Sequence, residues 1–230
     1  TGNYSGQYWK IEDAKSSSKP EENQRKSKVL YENGCNKGDH EACTRLGYLY
    51  EKGQGVDQDY LRAAEFYRKG CDRGHARGCT GLGFLHRRGL GLDRDEAMAA
   101  TLYRQGCGGG HARGCSNLGY LYREGLGVDL DYEKSAEFYG KACDDGFVKG
   151  CSNLGYLHEK GRGLEQDYSR AAQFYRQGCE GGYASGCTNL GDLYESGLGV
   201  KLDKEKAKAL FKRGCDGGHG PGCEKLASSQ

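Results

Sequence analysis

The chain has 230 residues, and 34 Lys and Arg against 32 Asp and Glu leave a formal net charge of only +2. That balance argues against nucleic acid or an anionic membrane surface as partner, and no apolar run is long enough to insert into a bilayer. Forty glycines would suggest disorder if scattered, but they recur at fixed intervals and so punctuate structure.

The interval is set by the cysteines. Cys35, Cys71, Cys107, Cys143, Cys179 and Cys215 step by 36 residues, and Cys43, Cys79, Cys115, Cys151, Cys187 and Cys223 follow them in the same rhythm. Periods of about 20 to 50 residues mark solenoids and arrays, in which each unit packs only on its neighbours. Cysteines paired so evenly point to an oxidising compartment. A removed signal peptide would account for a chain that starts at Thr1 without Met.

In chain order, residues 1–22 are polar and are expected to form a mobile N-terminal segment. Residues 23–230 are expected to form a single repeat array: a half-unit over 23–35, five full repeats over 36–215 and a capping helix over 216–230. The half-unit carries Leu30 and Tyr31 at the positions where the full units carry Phe-Tyr.

The third repeat shows the pattern within a unit. Residues 115–125 place Leu118, Leu121 and Tyr122 at helical spacing and form helix A. The glycines of Gly125-Leu-Gly-Val-Asp129 end that helix and turn the chain. Asp131 is a cap candidate for helix B, which carries Ala136, Phe138 and Tyr139. Residues 143–151 then link to the next helix A. Gly47, Gly83, Gly119, Gly155 and Gly191 fall inside helix A, where glycine costs about 1 kcal/mol relative to alanine. Their recurrence predicts close helix approach, with Ala64, Ala100, Ala136, Ala172 and Ala207 or Ala209 as the facing small surface.

The string L-G-x-L-Y-x-x-G-x-G-V followed by D-Y-x-x-A-A-x-F-Y, clearest at 46–56 with 59–67 and at 118–128 with 131–139, resembles the Sel-1-like repeat family. The cysteine pair in each unit resembles the Helicobacter cysteine-rich type. The resemblance covers about residues 23–227. It implies an all-α fold, an α-solenoid of antiparallel helix hairpins related to tetratricopeptide repeats, with a right-handed superhelix. It also implies secretion or periplasmic residence, and, for some cysteine-rich members, penicillin binding with weak β-lactam hydrolysis. Most of the wider family act as scaffolds.

Two cysteine pairings suit a hairpin. Joining Cys43 to Cys71 and onward would strand Cys35 and Cys223; joining Cys35 to Cys43, Cys71 to Cys79 and onward uses every cysteine, and the resemblance agrees. Metal binding by Cys71, His75 and Cys79 lacks a fourth ligand. The His position also becomes Phe147 and Tyr183, so it reads as packing. No metal or cofactor is expected.

A partner is expected on the concave face lined by the A helices. The second, fifth and ninth residues after each cysteine share one helix face. The candidate peptide-binding residues there are Arg45, Tyr48, Phe84, Arg88, Asn117, Tyr120, Asn153, Tyr156, Asn189 and Asp192. Asn amides can clamp an extended backbone, and Tyr supplies flat contact area. Arg45, Gly81 and Asp192 break the repeat and are expected to carry specificity. No catalytic residue stands out. His86 and His158 replace Tyr at a packing position, and the Ser-x-x-Lys string at Ser16 to Lys19 arises readily by chance in a Ser-rich run. The expected function is a monomeric interaction module for a peptide or protein segment. The alternatives are a weak β-lactam hydrolase and an assembly factor in an oxidising organelle compartment.

Overall fold

The computed structural model describes residues 26–229. The expected N-terminal segment, residues 1–22 with the Ser16 to Lys19 string, lies outside the described residues. The chain divides between Asp95 and Glu96 into two compact units. The first unit contains α1 (26–36), α2 (His40–Lys52), α3 (Tyr60–Cys71) and α4 (Ala76–Arg88). The second contains α5 (Glu96–Gly108), α6 (Ala112–Glu124), α7 (Tyr132–Asp144), α8 (Val148–Lys160), α9 (Tyr168–Glu180), α10 (Ala184–Ser196), α11 (Lys204–Asp216) and α12 (Gly220–Ser228). No strand occurs among the described residues. Helices of type A (α2, α4, α6, α8, α10) alternate with helices of type B in an all-α fold of antiparallel hairpins.

Local chemistry dictates where helices start and stop. Asp59, Asp131, Asp167 and Asp203 cap B helices, each accepting from the backbone N–H three residues on; the Lys134 N–H reaches Asp131 at 2.9 Å. Such a cap contributes about 1 kcal/mol. Gly125 ends α6 in the left-handed region at φ 65°, which only glycine adopts without strain. A Cβ on Gly127, two residues on, would overlap the Glu96–Ala97 backbone at the start of α5, so no side chain fits there.

The core is built one interface at a time. Leu118 and Leu121 of α6 pack with Ala99, Ala100 and Tyr103 of α5, and Leu154 and Leu157 of α8 pack with Ala136 and Tyr139 of α7. Each fully buried leucine contributes roughly 1.5–3 kcal/mol. A second interaction runs within three of the hairpins. Tyr50 stacks on Phe66, Tyr122 on Phe138 and His158 on Phe174, with ring centroids 5.6, 5.6 and 5.5 Å apart.

Six disulfides join Cys35 to Cys43, Cys71 to Cys79, Cys107 to Cys115, Cys143 to Cys151, Cys179 to Cys187 and Cys215 to Cys223. No cysteine is left free, and bonds of this kind persist where the surroundings are oxidising.

Two local expectations are corrected. The cysteines do not bound the link between hairpins: Cys143 lies in the last turn of α7 and Cys151 in the first turn of α8, leaving only residues 145–147 between the helices. Helix A starts earlier because His75, His111, Phe147, Tyr183 and His219 sit at its N-cap without a side-chain cap bond. The helix-A glycines also meet different partners. A Cβ on Gly119 would lie 2.9 Å from the Tyr139 ring and 3.1 Å from the Ser135 carbonyl, and Gly47 faces Tyr67 and the Ala63 carbonyl in the same way. The tyrosine ring and a carbonyl fill that approach. Ala64, Ala100, Ala136 and Ala172 are buried elsewhere in the interface, while Ala207 is buried and Ala209 exposed.

Candidate peptide-binding face

In the first unit, Arg45 and Tyr48 of α2 line a cleft of about 270 Å³ together with Tyr31 of α1 and Arg77 of α4. Glu41, one turn before Arg45, accepts its Nε–H at 2.9 Å. That bond holds the guanidinium 5.8 Å from the centre of the Tyr31 ring. Lys52 and Arg77 stand 5.8 and 5.9 Å from the Tyr48 ring. Cations over ring faces hold those rings in place and leave positive charge at the rim. Phe84 is half-buried and Arg88 exposed, and neither lines this cleft.

Gly81 breaks the repeat for a packing reason. A Cβ there would come within 2.8 Å of the Tyr67 ring. That ring is fixed, because its hydroxyl donates to Glu51 Oε2 at 2.6 Å. Burial, with the Glu51 charge added, pushes the Tyr67 hydroxyl pKa far up, so it stays a donor.

In the second unit, Asn117, Tyr120, Asn153, Tyr156, Asn189 and Asp192 are all half-buried along α6, α8 and α10. Arg123 joins two of them, standing 5.2 Å from the Tyr120 ring and 5.8 Å from the Tyr156 ring. Arg162 continues the series at 5.8 Å from Tyr156 and 5.4 Å from Tyr132. Rings and guanidinium groups therefore alternate across successive repeats. Asn189 lies beside the hydroxyl of Tyr175, which donates to Glu159 at 2.7 Å. Asp192 is held by Lys225 of α12 at 2.9 Å, and the same ammonium reaches Glu195 at 3.1 Å.

Arg77, Arg123, Arg162 and Tyr31 belong to these clusters and were not singled out from the sequence. Arg123 left a trace there: the eighth residue after the cysteine is acidic at Glu51, Glu159 and Glu195 but basic at Arg87 and Arg123. The Cys-x3-His-x3-Cys strings hold no free thiolate, since Cys71 and Cys79 are bonded to each other. His75 caps α4, and its Nδ1 is 2.8 Å from Thr44 Oγ1. His158 is buried on Phe174, and burial first, then the Arg170 charge, lowers its pKa.

Within each unit, hairpins of A and B helices pack on their neighbours, and this repeated hairpin is the fold of an α-solenoid of the protein-interaction scaffold kind. The family model of the Sel1 repeat matches residues 40–75, 76–111, 112–147, 148–183 and 184–219, and the chain belongs to the Sel1 repeat family. Its disulfide in every 36-residue unit is the mark of the cysteine-rich type.

Among solved structures, a Sel1 repeat protein from Oxalobacter formigenes is 28% identical over 83% of this chain and 76% of its own, with a TM-score of 0.78. The protein c5321, a protective antigen of uropathogenic Escherichia coli, is 29% identical over 94% of this chain, which spans 50% of that protein, with a TM-score of 0.78. Helicobacter pylori cysteine rich protein B is 27% identical over 58% of this chain and 96% of its own, with a TM-score of 0.47. Curated proteins gave no match.

Proposed function

We propose that the chain is a monomeric interaction module, secreted or periplasmic, that binds an extended peptide or protein segment on the A-helix face. The observation that carries this is the alternation of Tyr120, Arg123, Tyr156 and Arg162 in the second unit. Aromatic rings held by cations give contact area that loses little entropy on binding, and Tyr and Arg are the residue types that dominate binding energy at interfaces. Asn117 and Asn153 on the same helix faces can donate to and accept from a peptide backbone. The cleft around Arg45 and Tyr48 offers the same chemistry in the first unit. The disulfides support an oxidising location.

The test is selection of binders from a random peptide display library, followed by titration against two double variants. Tyr120→Ala with Tyr156→Ala is expected to weaken binding at least about tenfold. Asn117→Ala with Asn153→Ala is expected to abolish it while leaving the melting temperature nearly unchanged. Unchanged affinity in both would place the ligand elsewhere.

A further inference from the structure

In the first unit, the cleft between α1, α2 and α4 is built unlike the later repeats. The tyrosine near the end of each B helix is buried at Tyr67, Tyr103, Tyr139 and Tyr175, between 0 and 3% exposed, whereas Tyr31 at the same repeat position is only half-buried. Tyr48 is exposed, while Phe84, Tyr120 and Tyr156 at its repeat position are half-buried. Both open rings line the cleft, and the buried Thr44 and Leu49 form its floor.

The charges around this cleft do not balance. Its lining holds two guanidinium groups, Arg45 and Arg77, and no carboxylate. Arg45 is neutralised by Glu41, whose Oε1 accepts its Nε–H and a terminal N–H together. Lys52, over the Tyr48 ring, is neutralised by Glu51 at 2.6 Å. Arg77 has no carboxylate partner among the described residues. Its guanidinium stands 5.9 Å from the centre of the Tyr48 ring, a contact that uses the face of the group and leaves its in-plane N–H donors for another acceptor.

We propose that this cleft receives an acidic side chain, Asp or Glu, of the bound peptide, with the carboxylate on Arg77 and a neighbouring apolar side chain against Leu49 and the Tyr31 and Tyr48 rings. This assigns the ligand chemistry of the A-helix face in the first unit, and it rests on that face binding a peptide. A carboxylate matches the guanidinium fork with two parallel N–H···O bonds, and such charge-assisted bonds are about twice as strong as neutral ones. An apolar floor with a few placed polar groups is the usual build of a side-chain pocket. A basic guest is disfavoured, because a further cation would meet Arg45 and Arg77 with no carboxylate in the lining to offset it.

The experiment titrates the intact oxidised protein with Leu-Glu-Leu blocked at both ends, which puts an apolar residue on either side of the acid. The Tyr48 ring and Leu49 methyl resonances are followed by NMR. Blocked Leu-Gln-Leu, neutral and of equal shape, is the comparison. Saturable shifts with Leu-Glu-Leu, and binding at least about tenfold weaker with Leu-Gln-Leu, are expected. Arg77→Gln should weaken Leu-Glu-Leu about tenfold and erase its advantage over Leu-Gln-Leu. The melting temperature should hold, because the Arg77 side chain lies at the surface. Arg113→Gln, at the same repeat position in the second unit, should leave both affinities as they were. Equal binding of the two peptides, an equal loss in both arginine variants, or no saturation at Tyr48 and Leu49 would overturn the proposal. So would Leu-Gln-Leu with a free C-terminal carboxylate binding as tightly as blocked Leu-Glu-Leu, which would give the cleft to a chain terminus. Since binding is read at Tyr48 and Leu49, a negative result leaves peptide binding through Tyr120 and Tyr156 standing, and the two readings fail separately.

Discussion

Gly119 and Gly108 are both helical glycines, and their surroundings give them opposite roles. A Cβ on Gly119 would press into the Tyr139 ring and the Ser135 carbonyl, and the carbonyl cannot move without the whole of α7. Gly119→Ala should therefore destabilise by about 1–3 kcal/mol, more than the gain of about 1 kcal/mol in helix propensity. Gly108, in the last turn of α5, has nothing within 4 Å of an added Cβ. Gly108→Ala should stabilise by about 0.5–1 kcal/mol. Urea denaturation of both variants checks the pair, and equal effects would show that helix approach does not set the glycine pattern. His158 makes a second residue-scale prediction. Burial holds its folded pKa below the ordinary 6.5, and burial shifts His75 the same way. The unfolded chain takes up protons as pH falls through about 6.5 while the folded chain resists, so stability is complete above that pH and declines below it. The melting temperature should be level at neutral pH and fall toward pH 5, and His158→Phe, which keeps a ring on Phe174, should flatten the fall.

At the scale of elements, what the sequence showed and what it hid have physical causes. The period, the buried leucines, the aspartate caps and the glycine stops are set by neighbours within one repeat, and all were legible. The start of helix A was hidden in α4, α6, α8 and α10 because the N-cap there is His, Phe or Tyr, which lack the short polar side chain that marks a cap and that Asp39 supplies to α2. The candidate face was legible only as a row of positions. Arg123 and Arg162 tie it together from adjacent repeats, and Asp192 answers to Lys225, 33 residues away on α12. Asp192 therefore breaks the repeat for a reason that belongs to the capping helix. That contact carries a prediction. The pairs of Lys225 with Asp192 and Glu195 are half-exposed, so Lys225→Ala should cost at most about 1 kcal/mol. The Cys215–Cys223 bridge ties the nine-residue α12 to α11. Cys215→Ser with Cys223→Ser should free α12, seen as hydrogen exchange near the unfolded rate over its amides, while α6 to α10 keep their protection. A lysine variant that frayed α12 as far as the cysteine variant does would reverse that ranking.

Across the whole molecule, the disulfides stand in for apolar mass. Only 36% of residues are hydrophobic, and mean hydropathy is −0.86. Each interface of the stack buries two leucines, small alanines and one aromatic ring of helix B, which is thin for a chain of this length. Each bridge spans a sequence separation of 8, and closing so short a loop removes about 2.5 kcal/mol of unfolded-state entropy on the chain-entropy model. Taken over all the repeats, that contribution reaches about 15 kcal/mol, the size of a whole domain's net stability. Full reduction with a phosphine at neutral pH should therefore cost the chain most of its helical circular dichroism at 37 °C. Reoxidation should restore it, because each cysteine's partner is the nearest one along the chain. Mutating a single internal pair, Cys143 and Cys151, should instead lower the denaturation midpoint without abolishing folding, since each unit of a stack leans only on its neighbours. A reduced protein that melts at the temperature of the oxidised one would show that the leucine and tyrosine interfaces hold the stack unaided.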